Sequence, residues 1–190
     1  MNISVITADE ITEEVFNEMY RLEDLFWPEG HYAHLSKEYL QNLFADSFEG
    51  VFAAWDDNNN TLAGHFYAIV PSKQSLDEYM KTGDFTLLEN KGFQKGLNNL
   101  YLYTAILKKE YRGSGCMKQL GIAFCKWLDA KDKEGCLIDT VLAQAVTADG
   151  SRTCSAGFMM KPMDDVDQAG IGHYISNGLR EYREKMKKYY

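Results

Sequence analysis

The residues best suited to chemistry lie in one stretch, 102–120, which reads LYTAILKKEYRGSGCMKQL. An apolar run ends in a basic, glycine-rich loop. Helical spacing follows at once, with Met117, Leu120, Gly121, Phe124 and Leu128 on one face. The first N–H groups of a helix have no acceptor inside it. The helix dipole adds positive potential at the same end. Together these make an anion site. Gly113 and Gly115 carry no side chain, so a phosphate can come close to the backbone. Lys108, Lys109, Arg112 and Lys118 add positive charge around it.

Two common phosphate ligands do not fit. The ATP-type loop needs G-x-x-x-x-G-K-[ST], which the chain lacks. The dinucleotide fingerprint G-x-G-x-x-G needs a third glycine, and Lys118 stands there. That fingerprint also opens a parallel βαβ repeat, whereas several strands come before this loop, some reading as a hairpin.

The segment resembles the GNAT superfamily of acyltransferases, whose signature is an apolar strand, then [QR]-x-x-G-x-[GA], then a helix. Arg112-Gly113-Ser114-Gly115-Cys116-Met117 matches at the arginine and at Gly115, and Glu110-Tyr111 is similar to the usual lead-in. Met117 departs, because the family has Gly or Ala there. The order of elements from about residue 2 to 160 is also similar, and Gly157-Phe158 falls where the family often has a Gly-Phe pair.

The resemblance implies an α/β (α+β) fold: a mixed, mostly antiparallel sheet with a splayed strand pair and helices on both faces. It implies one GNAT-like domain over 1–190, with its core at about 2–160, an insertion at about 72–99 and a strand and helix extension at 161–190. It implies an acetyl-CoA-dependent N-acyltransferase that passes the acyl group directly to a primary amine in a ternary complex. Acetyl-CoA is then the co-substrate. Its pantetheine arm would pair with backbone at Ile106, Leu107 and Lys108. Its pyrophosphate would be held by N–H groups of Arg112, Gly113, Ser114, Gly115, Cys116 and Met117. The alternative is a non-catalytic CoA-binding sensor or protein-interaction module.

The chemistry needs a path for the amine proton, a donor for the oxyanion, and an acid for the departing thiolate. Family members often place a tyrosine for that last role four residues before the Gly-Phe pair. Thr153 stands there. Tyr103, Ser151 and Cys154 are the groups that could substitute as catalytic residues. Among the four histidines, His65 lies in a strand pattern and reads first as a buried structural residue.

The elements that must position these groups follow from pattern. Residues 2–7 read as a strand. Thr12 caps a helix whose core face is Val15, Met19, Leu22 and Phe26. Ser36 caps a second helix. Residues 50–55 and 62–70 read as a hairpin around the turn at 56–60. Residues 75–81 suit a short helix inside the 72–99 insertion. Residues 100–107 and 137–146 are the strongest strands. The polar residues 147–155 suit one short helix, a last strand begins at Gly157, and residues 176–190 read as a terminal helix.

Composition sets the remaining bounds. A chain of 190 residues that is 45% hydrophobic can build a core. A net charge of −8 disfavours nucleic acid as a partner. The expected partner is a small-molecule or peptide amine. No apolar run of 18 or more residues exists to span a membrane. The four cysteines form no Cys-x-x-Cys pair, so no metal site is expected. No signal peptide is read at residues 1–9, which makes the expected compartment cytoplasmic. A homodimer is the assembly favoured by frequency alone.

Overall fold

The computed structural model describes residues 2–45, 47–166 and 170–190. Met1 and residues 167–169, which belong to the expected domain and its extension, lie outside the described residues. The described chain forms a seven-stranded mixed sheet in the order β1-β2-β3-β4-β5-β7-β6. The strands are β1 (Ile3–Thr7), β2 (Val51–Asp56), β3 (Thr61–Ile69), β4 (Gly96–Leu107), β5 (Cys136–Gln144), β6 (Lys161–Val166) and β7 (Gly172–Asn177). The helices are α1 (Glu13–Phe26), α2 (Lys37–Leu43), α3 (Lys73–Thr82), α4 (Cys116–Lys133), α5 (Ala148–Arg152) and α6 (Arg180–Met186). The chain divides into two compact units, one of residues 1–67 and 104–124, the other of 68–103 and 125–190.

In the first unit β1, β2 and β3 pair antiparallel. The caps act as their residue types predict. Thr12 Oγ1 accepts from Val15 N–H, and Ser36 Oγ accepts from Tyr39 N–H. Alternation along β3 sends neighbouring residues to opposite faces. On one face Phe66 meets Phe52 and Phe124 of α4, with ring centroids 5.8 and 4.8 Å away. On the other, His65 Nε2 lies 3.0 Å from Glu23 Oε1 of α1, and Tyr67 packs against Phe44 at 5.3 Å. Helices therefore cover both faces of this part of the sheet. His65 is wholly buried, with the Glu23 carboxylate beside it.

In the second unit β4 and β5 run parallel, from Gly96↔Cys136 to Leu102↔Ala143. The ladder stops there, although β4 runs on to Leu107. β5 pairs antiparallel with β7, and β7 with β6. Burial of Leu76 and Tyr79 seats α3. Its end is a left-handed Gly83, φ 70°, whose N–H donates to the Tyr79 carbonyl. Arg183 of α6 donates to Asp129 and Asp132 of α4, and Tyr190 Oη donates to Asp129 Oδ2 at 2.8 Å.

Several element boundaries differ from the sequence expectation. β4 begins at Gly96, inside the stretch read as an insertion, because Asn98 donates to the Leu137 carbonyl (3.3 Å) and ties residues 96–99 to β5. The polar segment forms α5 and then a π-helical turn, Thr153–Gly157. Gly157 closes that turn rather than opening a strand, and the next strand starts at Lys161. Ser176 and Asn177 belong to β7, paired with Val141 and Thr140, so the terminal helix starts at Arg180.

Candidate functional site

The loop at the end of β4 is built from turn chemistry. Lys109–Tyr111 is a single 3-10 turn, with Tyr111 N–H donating to the Lys108 carbonyl at 3.0 Å. Residues 111–114 then form a type II turn. Arg112 has φ −68° and ψ 137°, Gly113 has φ 76°, and Ser114 N–H donates to the Tyr111 carbonyl at 3.3 Å. Such a turn demands a left-handed third residue, which Gly113 supplies. Gly115 is left-handed too, at φ 92°. A Cβ at either glycine would meet no atom within 4 Å, so the backbone there is open to a ligand.

Ser114 Oγ donates to the Tyr111 carbonyl (2.5 Å) and receives the Cys116 N–H at 3.4 Å. It also lies 3.0 Å from Cys116 Sγ. Cys116 is buried at the first position of α4, so its side chain belongs to the core. Helix α4 is 18 residues long and starts where the loop ends. Its first-turn N–H groups and dipole point to the same place as the glycines. Arg112, Gly113, Ser114 and Gly115 are exposed, and Met117 is half-buried.

The three backbone positions expected to receive the pantetheine arm are not equivalent. Lys108 N–H donates to the Ala63 carbonyl at 3.0 Å, and its own carbonyl accepts from Tyr111. Both backbone groups of Lys108 thus have a partner within the protein. Its ammonium instead donates to Thr61 Oγ1 at 3.2 Å. The Ile106 carbonyl is turned onto Gly64, 2.3 Å from where a Cβ would sit. Leu107 covers the same glycine with its side chain, Cδ2 lying 2.4 Å from that point.

The candidate acids lie in the second unit. Tyr103 is half-buried on β4, in a row of rings with Tyr101 (5.7 Å) and Phe85 (6.4 Å). Ser151 sits in α5, its N–H donating to the Thr147 carbonyl and its carbonyl accepting from Ser155 Oγ. Cys154 is buried in the π-helical turn, and burial pushes its thiol up to about 11.

A buried network lies next to these residues, and residue types alone did not single it out. The Tyr79 hydroxyl is 2.8 Å from the Tyr101 hydroxyl and 3.2 Å from His173 Nε2. All three side chains are buried. Burial holds the Tyr101 hydroxyl well above the usual tyrosine range, and the Tyr79 hydroxyl and nearby Cys154 add to that. Tyr79 could have been found as the i+3 partner of Leu76 on an amphipathic helix. His173 could not, because its strand is short and isolated in sequence. Among the described residues, no group of three His, Cys, Asp or Glu is arranged to hold a metal ion. No helix of these residues is long and apolar enough to cross a membrane.

No protein-family model matches the chain, and no curated protein matches it at a significant level. Solved structures do. Arabidopsis thaliana Naa50, in complex with the bisubstrate analogue CoA-Ac-MVNAL, is 13% identical with a TM-score of 0.54, covering 92% of this chain and 97% of that one. A mosquito arylalkylamine N-acetyltransferase-like protein, 5b, is 13% identical with a TM-score of 0.58, covering 93% and 100%. Arabidopsis thaliana NAA60, in complex with acetyl-CoA, is 13% identical with a TM-score of 0.57, covering 92% and 97%. At such low identity the likeness is one of fold, and the chain has the fold of the GNAT acetyltransferases.

Proposed function

We propose that this protein moves an acetyl or other acyl group from acyl-CoA to a primary amine, directly and without a protein-bound intermediate. The observation that carries the reading is the type II turn at residues 111–114 with left-handed Gly115, opening onto the first turn of α4. That arrangement supplies backbone N–H groups and positive potential for a pyrophosphate. Arg112 and Lys118, both exposed, add charge beside it. Leu107 and Ile106 are the backbone positions left for the pantetheine arm. Tyr103 is the acid we favour for the leaving thiolate, because it is half-buried on β4 just past the point where the β4–β5 ladder ends.

Two acceptor classes are suggested by the fold neighbours. Naa50 was captured with a peptide-bearing analogue, and the mosquito protein is named for arylalkylamines. Both peptide N-termini and arylalkylamines therefore belong in an acceptor screen. Four buried free thiols suit a reducing compartment, which supports a cytoplasmic setting.

Thermal unfolding with CoA, acetyl-CoA, ATP and NAD tests the reading. A ligand at 100 times its Kd adds about 2.7 kcal/mol of apparent stability. For a chain of this size that is a rise of roughly 5–11 °C. The rise should appear with both CoA compounds and vanish in a folded Gly115→Glu variant. No rise with millimolar CoA would refute the loop assignment. Stabilisation by CoA without thiol release on adding amines would favour the non-catalytic alternative, which the Thr153 substitution of the expected tyrosine already motivates.

A further inference from the structure

We propose that Asp56, which ends β2 at the β2–β3 turn and stands 55 residues before Tyr111 in sequence, is a positioning residue for the CoA-binding loop and acts through the Tyr111 hydroxyl. The inference rests on the CoA reading for its consequence, but its structural part stands alone.

Asp56 is buried, 1% exposed, although it ends a strand at a surface turn. A carboxylate so placed needs several donors. Oδ1 accepts from Asn58 N–H at 3.1 Å, and Oδ2 accepts from Asn59 Nδ2 at 2.8 Å. These bonds build the turn. A further donor comes from 55 residues away: Tyr111 Oη donates to Oδ2 at 2.9 Å. The turn is held in its own place, since Asp57 N–H donates to the Asn2 carbonyl and Asp57 receives Asn2 Nδ2 and Ser4 Oγ. Asp56 is thus a rigid anchor rather than a mobile surface acid.

Tyr111 transmits that anchorage. Its ring is buried, and its carbonyl is the acceptor that closes the type II turn, taking both Ser114 N–H and Ser114 Oγ. Fixing the ring therefore fixes the carbonyl, and the carbonyl fixes Gly113, Ser114 and the approach to Gly115. A second strut runs from the same hairpin, where Thr61 Oγ1 receives the Lys108 ammonium. Two glycines with no side-chain contacts cannot hold this loop by packing. Without the anchor it samples other conformations, and a ligand must then order it at its own expense in affinity.

The test uses Tyr111→Phe, Asp56→Ala, Asp56→Asn and the Tyr111→Phe/Asp56→Ala double variant, each first shown to be folded by circular dichroism. Hydrogen–deuterium exchange in the absence of ligand reads the Ser114 amide. Its protection should fall by about tenfold in Tyr111→Phe and Asp56→Ala, with the double variant no worse than the worse single one. Asp56→Asn, which keeps an acceptor oxygen, should restore part of it. Calorimetric titration with CoA should show Kd raised about 5- to 20-fold in the same pattern. Wild-type protection at Ser114 in folded Tyr111→Phe, or additive losses in the double variant, would overturn the positioning role. Lost protection with no CoA binding even in the wild type would instead refute the CoA reading and leave Asp56 as the anchor of the loop.

Discussion

Gly64 on β3 offers a sharp test of how closely the Ile106–Leu107 end of β4 is packed. Gly64→Ala would place a Cβ 2.3 Å from the Ile106 carbonyl oxygen, 2.4 Å from Leu107 Cδ2 and 3.0 Å from Leu107 Cα. A methyl terminus such as Cδ2 can rotate away. A carbonyl oxygen and a Cα move only if the strand moves. To restore ordinary contact, the β4 backbone must retreat by about 1 Å, and overpacking of this kind costs roughly 1–3 kcal/mol. Opposing it, alanine in a strand interior is favoured over glycine by roughly 0.5–1 kcal/mol. The clash involves backbone, so it wins, and the net loss is about 1–2 kcal/mol. For a chain of this length that lowers Tm by roughly 2–8 °C. Gly157→Ala is the control, since its Cβ would come no nearer than 3.7 Å to any atom and its φ is not left-handed. Urea and thermal unfolding of both variants measure the contrast. A Gly64→Ala protein as stable as the wild type, or more so, would refute the close approach of β3 and β4.

Two further expectations concern the second unit. Arg183→Ala removes donors to Asp129 and Asp132 and should cost about 1–3 kcal/mol in urea unfolding at neutral pH. Burial alone would raise the Asp129 carboxyl, but hydrogen bonds from Arg183 and Tyr190 outweigh it and hold it below its usual value. Its stabilising contribution is therefore complete above the unfolded value near 4 and is lost as pH falls through the lower folded one. The acid limb of stability against pH should accordingly be shallower in Arg183→Ala than in the wild type, and equal limbs would show that the pair carries no such linkage. Cys154 and Cys125 have thiols raised to about 11 and about 12 by burial. Only about one Cys154 in a thousand is thiolate at pH 8, so native protein should react slowly with a disulfide reagent and quickly in guanidinium. Rapid native labelling at Cys154 would mean that its turn opens.

Much of the positioning framework was legible in sequence because local physics writes it there. The caps Thr12 and Ser36 act within three residues of themselves. Gly113 and Gly115 mark left-handed backbone wherever the chain goes. The strands 100–107 and 137–146 announce themselves by apolar, β-branched runs. One last strand was expected from Gly157 onward, whereas the described residues there form two, β6 and β7, paired with each other. The start of β4 at Gly96 was not legible, because a side-chain bond from Asn98 to β5 overrides a loop-like composition.

The candidate site divides in the same way. The sequence by itself determined that a glycine-rich, basic loop joins a strand to a helix, because that depends only on consecutive residues. Only tertiary structure decided that the Lys108 N–H and carbonyl have partners within the protein and that the Cys154 thiol is buried. It also decided that Tyr79, Tyr101 and His173 share one buried network, though Tyr79 and His173 stand 94 residues apart. Asp56 shows the reason most plainly. In sequence it is the first residue of an Asp/Asn turn, and any such turn looks alike. Its partner Tyr111 is 55 residues away, and burial of a carboxylate is a property of what packs around it, which no local pattern records.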